Sequence, residues 1–210
     1  MDEKLVREIM EDLKLRSERE NMPVPVGVSN RHVHLTESHF QTLFGPGCKP
    51  TLYRQIVQPG FYACNEKVDI ETPKGRFKGV RMIGPCRNYT QIEISLSDAR
   101  VLGLNPPIRD SGKLDNTPGI KIIGPAGEIT VGSGVIISKR HIHFSPSDAV
   151  KFKIKDQQIV RVLCAIGSDK ETIYESVLCR VSDKYALEFH IDTDEANAAG
   201  LKSGDQVYIV

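Results

Sequence analysis

The sequence predicts a mainly β, α+β protein: two similar small β-barrels from an internal duplication, each capped by short helices, with an amphipathic helix at the N-terminus. Three observations predict it. An eight-residue motif, Ser29-Asn-Arg-His-Val-His-Leu-Thr36, returns as Ser138-Lys-Arg-His-Ile-His-Phe-Ser145. Short β-branched runs punctuated by Gly and Pro fill most of the chain after Pro25. Apolar residues at helical spacing are confined to the first segment and to a few short stretches.

Within residues 2 to 19, Leu5, Val6, Ile9, Met10 and Leu13 fall on one side of a helical projection and charged residues fill the other. Pro23 and Pro25 then impose an extended path. The helix reads either as a cap on the core or as a docking tag for a partner helix or shell surface. Lys67 to Thr72, Pro73-Lys74-Gly75 and Arg76 to Ile83 read as a hairpin; so do Ile120 to Ile123, Gly124 to Gly127 and Glu128 to Val131. Gln206 to Val210 supplies a last strand. Ser145 followed by Pro146 opens a short helix, and another begins at Asp192 or Thr193 and stops at Gly200. The predicted organisation is residues 1–22 as N-terminal helix, 23–137 as the first barrel half and 138–210 as the second.

Composition narrows the function. A chain of 210 residues, 40% hydrophobic and 26% charged, is an ordinary globular protein. A formal net charge of +1 gives no basic excess for a nucleic acid. No apolar run reaches the roughly 18 to 20 residues of a membrane span, and the charged N-terminus does not suit a secretory signal. The five cysteines form no CxxC pair, which fits reduced thiols and argues against a cysteine-based zinc cluster. The expected location is the cytoplasm.

The repeated His-x-His places two imidazoles on the same face of a strand, where both reach one ion. One copy is weak, because paired histidines on a strand are commonly structural; two copies in equivalent places point to metal. Catalytic zinc takes three protein ligands. A second match, Ser97-Asp-Ala-Arg-Val-Leu-Gly-Leu104 against Asp194-Glu-Ala-Asn-Ala-Ala-Gly-Leu201, extends backwards to set Glu93 opposite His190. The expected ligand sets are His32, His34 and Glu93 for one metal, and His141, His143 and His190 for the other. Gln91 and Glu93 share a face, and a solvated face is the competing reading. Three neutral imidazoles would leave one ion its full charge, suited to an anionic nucleophile, while the Glu-bearing ion could hold a thiolate. Arg87, six residues before Glu93, is expected on the same strand and face, with a fork of donors for phosphate or carboxylate. Arg31 and Arg140 alternate away from the metal as structural charges, and His39 is incidental. No GxxxxGK, GxGxxG or HExxH motif is present.

Pro25 to Leu35, Gly84-Pro-Cys-Arg87 with Thr90-Gln91, and Ser138 to His143 resemble the PduL-type phosphate propanoyltransferases of bacterial microcompartments, over about Pro25 to Val210. The resemblance implies two β-barrels around a dinuclear zinc site, with the two sets above as ligands, so two Zn2+ per chain, and Arg87 on phosphate. It implies coenzyme A in the cleft between the barrels, with Ser29, Arg54, Arg81 and Asn197 as neighbours, and exchange of an N-terminal strand, residues 23–30, into the second barrel. It also implies exchange of propanoyl-CoA, or another short acyl-CoA, and phosphate for acyl phosphate and CoA, as in propanediol degradation. The acyl-CoA and phosphate are thus the small-molecule partners, a shell protein is a partner for residues 2–19, and a homo-oligomer inside a microcompartment is the expected setting. In the proposed reaction phosphate, held by Arg87 and one metal, attacks the acyl carbon directly, without an acyl-enzyme. Two rivals use the same ligands: a dinuclear zinc thioester hydrolase, in which water replaces phosphate, and a non-catalytic metal-binding scaffold module.

Overall fold

The computed structural model describes residues 3–19 and 21–210. Helix α1 (Glu3–Arg19) is followed by strands β1 (Val24–Ser29) and β2 (His32–His34), helix α2 (Glu37–Phe44), and strands β3 (Leu52–Gln55), β4 (Tyr62–Glu71), β5 (Arg76–Gly84) and β6 (Gln91–Glu93). Helix α3 (Leu96–Leu102) leads to β7 (Ile108–Arg109), β8 (Ile120–Ile123), β9 (Glu128–Val131), β10 (Val135–Ser138) and β11 (His141–Phe144). Helix α4 (Pro146–Phe152), β12 (Ile159–Cys164), β13 (Thr172–Val181), β14 (Glu188–Asp192), α5 (Thr193–Ala199) and β15 (Gln206–Ile209) complete the chain. The protein is mainly β, as its sequence predicts.

The chain divides into two compact units. The first comprises residues 1–28, 140–191 and 195–210. Its sheet is a closed barrel in the order β1-β14-β11-β13-β12-β15. The barrel is filled by one core that includes Val24, Ile142, Phe144, Phe152, Val162, Phe189 and Val207. Closure leaves this small sheet no free edges. Its N-terminal strand β1 pairs with β15, Val24 opposite Val207.

The second unit comprises residues 29–139 and 192–194. Its nine strands form an open sheet in the order β7-β10-β6-β2-β5-β4-β8-β9, with β3 on β4. Two barrels are expected from the duplication, and only one closes. The β8–β9 hairpin continues the ladder outward from β4, Ile70 opposite Ile122, and β7 continues it from β10. The sheet is therefore wider than its counterpart and barrel-like without a seam. Val33, Phe40, Leu43, Ile70, Met82, Ile92 and Leu102 belong to its own core.

Local chemistry sets the ends of the elements. Thr72 Oγ1 accepts from the backbone N–H groups of Lys74 and Gly75 in the β4–β5 turn. A Cβ on Gly75 would lie 2.3 Å from the Val101 carbonyl oxygen, so only glycine allows this approach to α3. Ser95 caps α3 in a capping box with Asp98, and Ser145 caps α4 with Pro146 in the first turn. In α1 the apolar residues Leu5, Val6, Ile9, Met10 and Leu13 are all exposed, so that face does not cap the core. The helix is fixed at its end instead. Buried Arg19 donates from Nε to the Phe152 carbonyl at 2.9 Å and from Nη2 to that of Lys153 at 2.9 Å, occupying acceptors at the end of α4.

Phe144 is fully buried and meets Phe152 edge-on at 5.6 Å between ring centroids. Phe144→Ala should destabilise the closed barrel by about 3–5 kcal/mol, read as an earlier midpoint in urea unfolding followed by circular dichroism. A midpoint equal to the parent's would show that the ring does not support the barrel.

Candidate metal centres and their surroundings

Each unit gathers three ligand-type side chains by the same strand pairing. In the open sheet β2 runs antiparallel to β6 with His32 opposite Glu93, Val33 opposite Ile92 and His34 opposite Gln91. In the barrel β11 runs antiparallel to β14 with His141 opposite His190, Ile142 opposite Phe189 and His143 opposite Glu188. In both, one side of the pair is apolar and buried and the other carries the ligands. The ligand atoms of His32, His34 and Glu93 lie within 4.8 Å of one another, as do those of His141, His143 and His190.

Tautomers are set in the first cluster. His32 Nδ1 is 2.8 Å from the Asn30 carbonyl oxygen and 3.4 Å from Ser29 Oγ, and His34 Nδ1 is 3.1 Å from the Ile83 carbonyl oxygen. A carbonyl only accepts, so each Nδ1 carries the hydrogen and each Nε2 is turned inward. The two Nε2 atoms stand 3.6 and 3.7 Å from Glu93 Oε1. Burial alone would raise the Glu93 pKa, but the facing imidazoles outweigh it and hold the carboxyl well below its usual range. Burial pulls His32 down, but the charge of Glu93 together with hydrogen bonding to Glu93 and to the Asn30 carbonyl outweighs it, so His32 titrates above its ordinary value. Burial lowers His34 to about 4. One ionised carboxylate and two imidazoles with lone pairs turned toward it form a donor set that could hold a divalent cation.

The second cluster fits a cation on a different observation. His143 Nδ1 and Nε2 are buried without hydrogen-bond partners, a costly arrangement for polar atoms unless a ligand satisfies them, and His190 Nε2 lies 3.1 Å from Glu188 Oε2. His143 stacks on Tyr185 at 3.9 Å. Burial drives its pKa strongly down, with further repulsion from His141, His190 and Arg180.

Arg87 departs from its expected place. It lies in the loop between β5 and β6 and not on the strand, because its backbone N–H donates to the Leu35 carbonyl at 2.8 Å and takes no part in a sheet ladder. Its guanidinium reaches the first cluster's surroundings all the same: its charge acts on both His32 and His34. Nη1 donates to Tyr89 Oη and to Ser111 Oγ, each at 3.2 Å. Gln91 is fully buried, which answers the alternative of a solvated face. Its Nε2 donates to Glu93 Oε1 at 2.6 Å and to Ser111 Oγ at 2.8 Å, and its Oε1 accepts from the Gly112 N–H at 2.7 Å. Ser111 thus joins Arg87 to Gln91 and, through it, to Glu93. Tyr89 and Ser111 carried no sequence signal, Ser111 being distant in the chain and in a loop. Gln91 and Glu188 could have been found, since the repeat aligns them.

The remaining candidates are dispersed. Ser29 ends β1 beside His32. Arg54 is exposed on β3. Arg81, opposite His32 on β5, donates to the Cys64 carbonyl and lies 4.0 Å over the Tyr53 ring. Asn197 is on α5, its carbonyl accepting from Lys170 Nζ at 2.7 Å. Arg31 and Arg140 do turn from the ligands, and alike: Arg31 pairs with Asp98 at 2.6 Å and covers Phe77, and Arg140 pairs with Glu195 at 2.7 Å and covers Tyr174. Asp98 and Glu195 are themselves aligned by the repeat. His39 Nδ1 meets Thr90 Oγ1 at 2.7 Å, a local support.

Each copy of the duplicated β scaffold thus presents a candidate ligand triad in the same register. Residues 25–202 match the phosphate propanoyltransferase family. The chain is 53% identical to a phosphate propanoyltransferase of Thermotoga maritima over 192 residues, covering 91% of both chains. It is 46% identical to one from Levilactobacillus brevis, covering 96% of this chain and 95% of the relative, and 44% identical to one from Salmonella typhimurium, covering 93% and 89%. The chain belongs to the phosphate propanoyltransferase family. No helix among the described residues is long and apolar enough to cross a membrane.

A pH dependence follows for the metal-stripped protein. His34 has a folded pKa of about 4 against 6.5 for the free side chain, and His143 is lowered too. Between these values the unfolded chain binds the extra protons, so stability falls as pH falls. His32 has the opposite shift, but below its unfolded value it is protonated in both states and adds no slope. The thermal midpoint should decline from pH 6.5 towards 4, and less steeply in His34→Asn. A midpoint flat across that range would exclude neutral burial of these imidazoles.

Proposed function

We propose that the chain interconverts propanoyl-CoA, or another short acyl-CoA, and phosphate with acyl phosphate and CoA, using a zinc ion at each cluster. His32, His34 and Glu93 would hold one ion, and His141, His143 and His190 the other. When bound, such ions supply Lewis acidity that stabilises negative charge developing on oxygen or sulfur. The observation that carries the reading is Arg87 beside the first triad, with its guanidinium held by Tyr89 and Ser111.

Arg87 binds and orients phosphate, since its planar fork matches the spacing of phosphate oxygens. A phosphate oxygen forms the bond to the acyl carbon, the carbon–sulfur bond breaks, and the sulfur leaves with the bonding pair. Positioning contributes by converting a bimolecular step into one between aligned groups. Ser111 restrains the phosphate-binding group and the carboxylate ligand through one hydroxyl. Arg54 and Arg81 offer positive charge to the phosphates of CoA, and Ser29 and Asn197 offer polar contacts. Arg81 is pre-set for this by its bond to the Cys64 carbonyl and by Tyr53 beneath it.

Arg87→Ala should keep the parent's zinc content and lose phosphate-dependent thiol release from propanoyl-CoA by about 100-fold or more. Full turnover in that variant would remove Arg87 from the phosphate site. Thiol release by the parent without phosphate would replace the transfer reading with thioester hydrolysis, and bound zinc with no thiol release would leave only a scaffold role.

The exposed apolar face of α1 supports a docking role, in which residues 2–19 engage a shell protein of a bacterial microcompartment. The anchor at Arg19 keeps the helix root on the barrel while this face stays open. A chain lacking residues 1–20 should be fully active and should no longer co-purify with shells; retained co-purification would refute the assignment.

A further inference from the structure

By their ligands alone the two triads differ by one negative charge, Glu93 having no counterpart but neutral His190. The residue two places earlier on each ligand strand inverts that difference. In β6 it is Gln91, an amide, and in β14 it is Glu188, a carboxylate. The pairing registers are the same, Gln91 opposite His34 and Glu188 opposite His143, so the two residues occupy one structural position. Each reaches the third ligand of its own triad. Gln91 Nε2 is 2.6 Å from Glu93 Oε1, and Glu188 Oε2 is 3.1 Å from His190 Nε2. Summed over both positions, each unit carries one carboxylate.

We propose that Glu188 is the anionic member of the His141/His143/His190 centre, supporting the cation held there as Glu93 supports the one in the other unit. This rests on the metal-binding reading of the triads.

Three further observations support it. Glu188 is only 8% exposed, and a carboxylate withdrawn from water needs compensating positive charge. The centre it faces contains two buried imidazole nitrogens of His143 without hydrogen-bond partners, which are available to a cation. On the adjoining strand Arg180 stands opposite His143, so without an anion this face would set a dication against a guanidinium. The packing has also been kept clear for the carboxylate. A Cβ added to Gly27 on β1 would lie 2.6 Å from Glu188 Oε1 and 2.7 Å from Cδ, and glycine there leaves the room that holds the group against its centre.

The consequence concerns how the two ions differ. They are not a charged site and a softened site. Both are balanced by one carboxylate, in the ligand position in one unit and one strand step earlier in the other, so accessibility and neighbouring groups such as Arg87 distinguish them more than net charge does.

The test is cobalt binding to the full-length, metal-stripped protein, followed by visible absorption and by competition with a chelator of known affinity. The parent should take up two Co2+ per chain. Glu188→Gln, nearly the same shape, should weaken one of the two sites by about 10- to 100-fold, change that site's absorption band and leave the other site's affinity as it was. His32→Ala, which removes the other site, isolates the affected one, and Glu188→Gln in that background should show the whole loss. Gly27→Ala should give a loss of the same kind by displacing the carboxylate without neutralising it, with metal-free circular dichroism unchanged in both variants. Two cobalt sites of parental affinity and spectrum in Glu188→Gln would overturn the inference while keeping the triads as metal centres. A parent that takes up no cobalt would overturn both.

Discussion

The antiparallel pairing of a short His-x-His strand with the strand that carries the third ligand is the constraint on which the site depends. Because side chains alternate, this pairing puts one flank into the core and the other toward the ligands, and a slip of one residue would exchange them. Val33 with Ile92 in one unit, and Ile142 with Phe189 in the other, hold the register by burial. The chemistry is thereby fixed by hydrophobic packing on the reverse side of the same backbone. The arginine before each motif adds a second lock, since Arg31 with Asp98 and Arg140 with Glu195 tie the motif strand to the segment after the third ligand.

Around that common pairing the two copies have diverged in ways that matter for function. The barrel copy is closed, and its imidazoles lie on the flank away from the core, beside Glu188 and Tyr185. The open-sheet copy surrounds its triad with a hydrogen-bonded set in which Ser111 touches both Arg87 and Gln91. An arginine placed by a loop, with its backbone bound to Leu35 and its guanidinium to Tyr89 and Ser111, is held without being part of the sheet. That suits the phosphate-binding role proposed for Arg87, since its donors need not run parallel to a strand.

Much of this was legible in the sequence because duplication supplies an internal alignment. A single His-x-His says little, whereas two copies at matched distance from a shared downstream pattern located Glu93 and His190 as partners. The hairpins at Lys67 to Ile83 and Ile120 to Val131 were legible from turn chemistry, and the helix at Ser145 from its cap. Arg87 was placed on a strand because alternation assumes an unbroken ladder, and Pro85 cannot donate to one. Tyr89 looked unremarkable and Ser111 lies far along the chain. Polar supports of this type leave no periodic trace.

What the sequence determined by itself is the duplication, the residues that make up the two candidate triads and the family, since each is carried by residue types at fixed spacing. What only the tertiary structure decided is which strands each copy owns and which groups stand behind the ligands. β1 leads into the first motif but belongs to the barrel, while β10 leads into the second motif and pairs with β6 of the open sheet. Spacing along the chain cannot decide such membership, because hydrogen-bonded strand partners are chosen by long-range burial. The same holds for Glu188. Its neighbour at i+2 is visible in the sequence, but its burial beside the imidazole of His190 exists only once the barrel has closed.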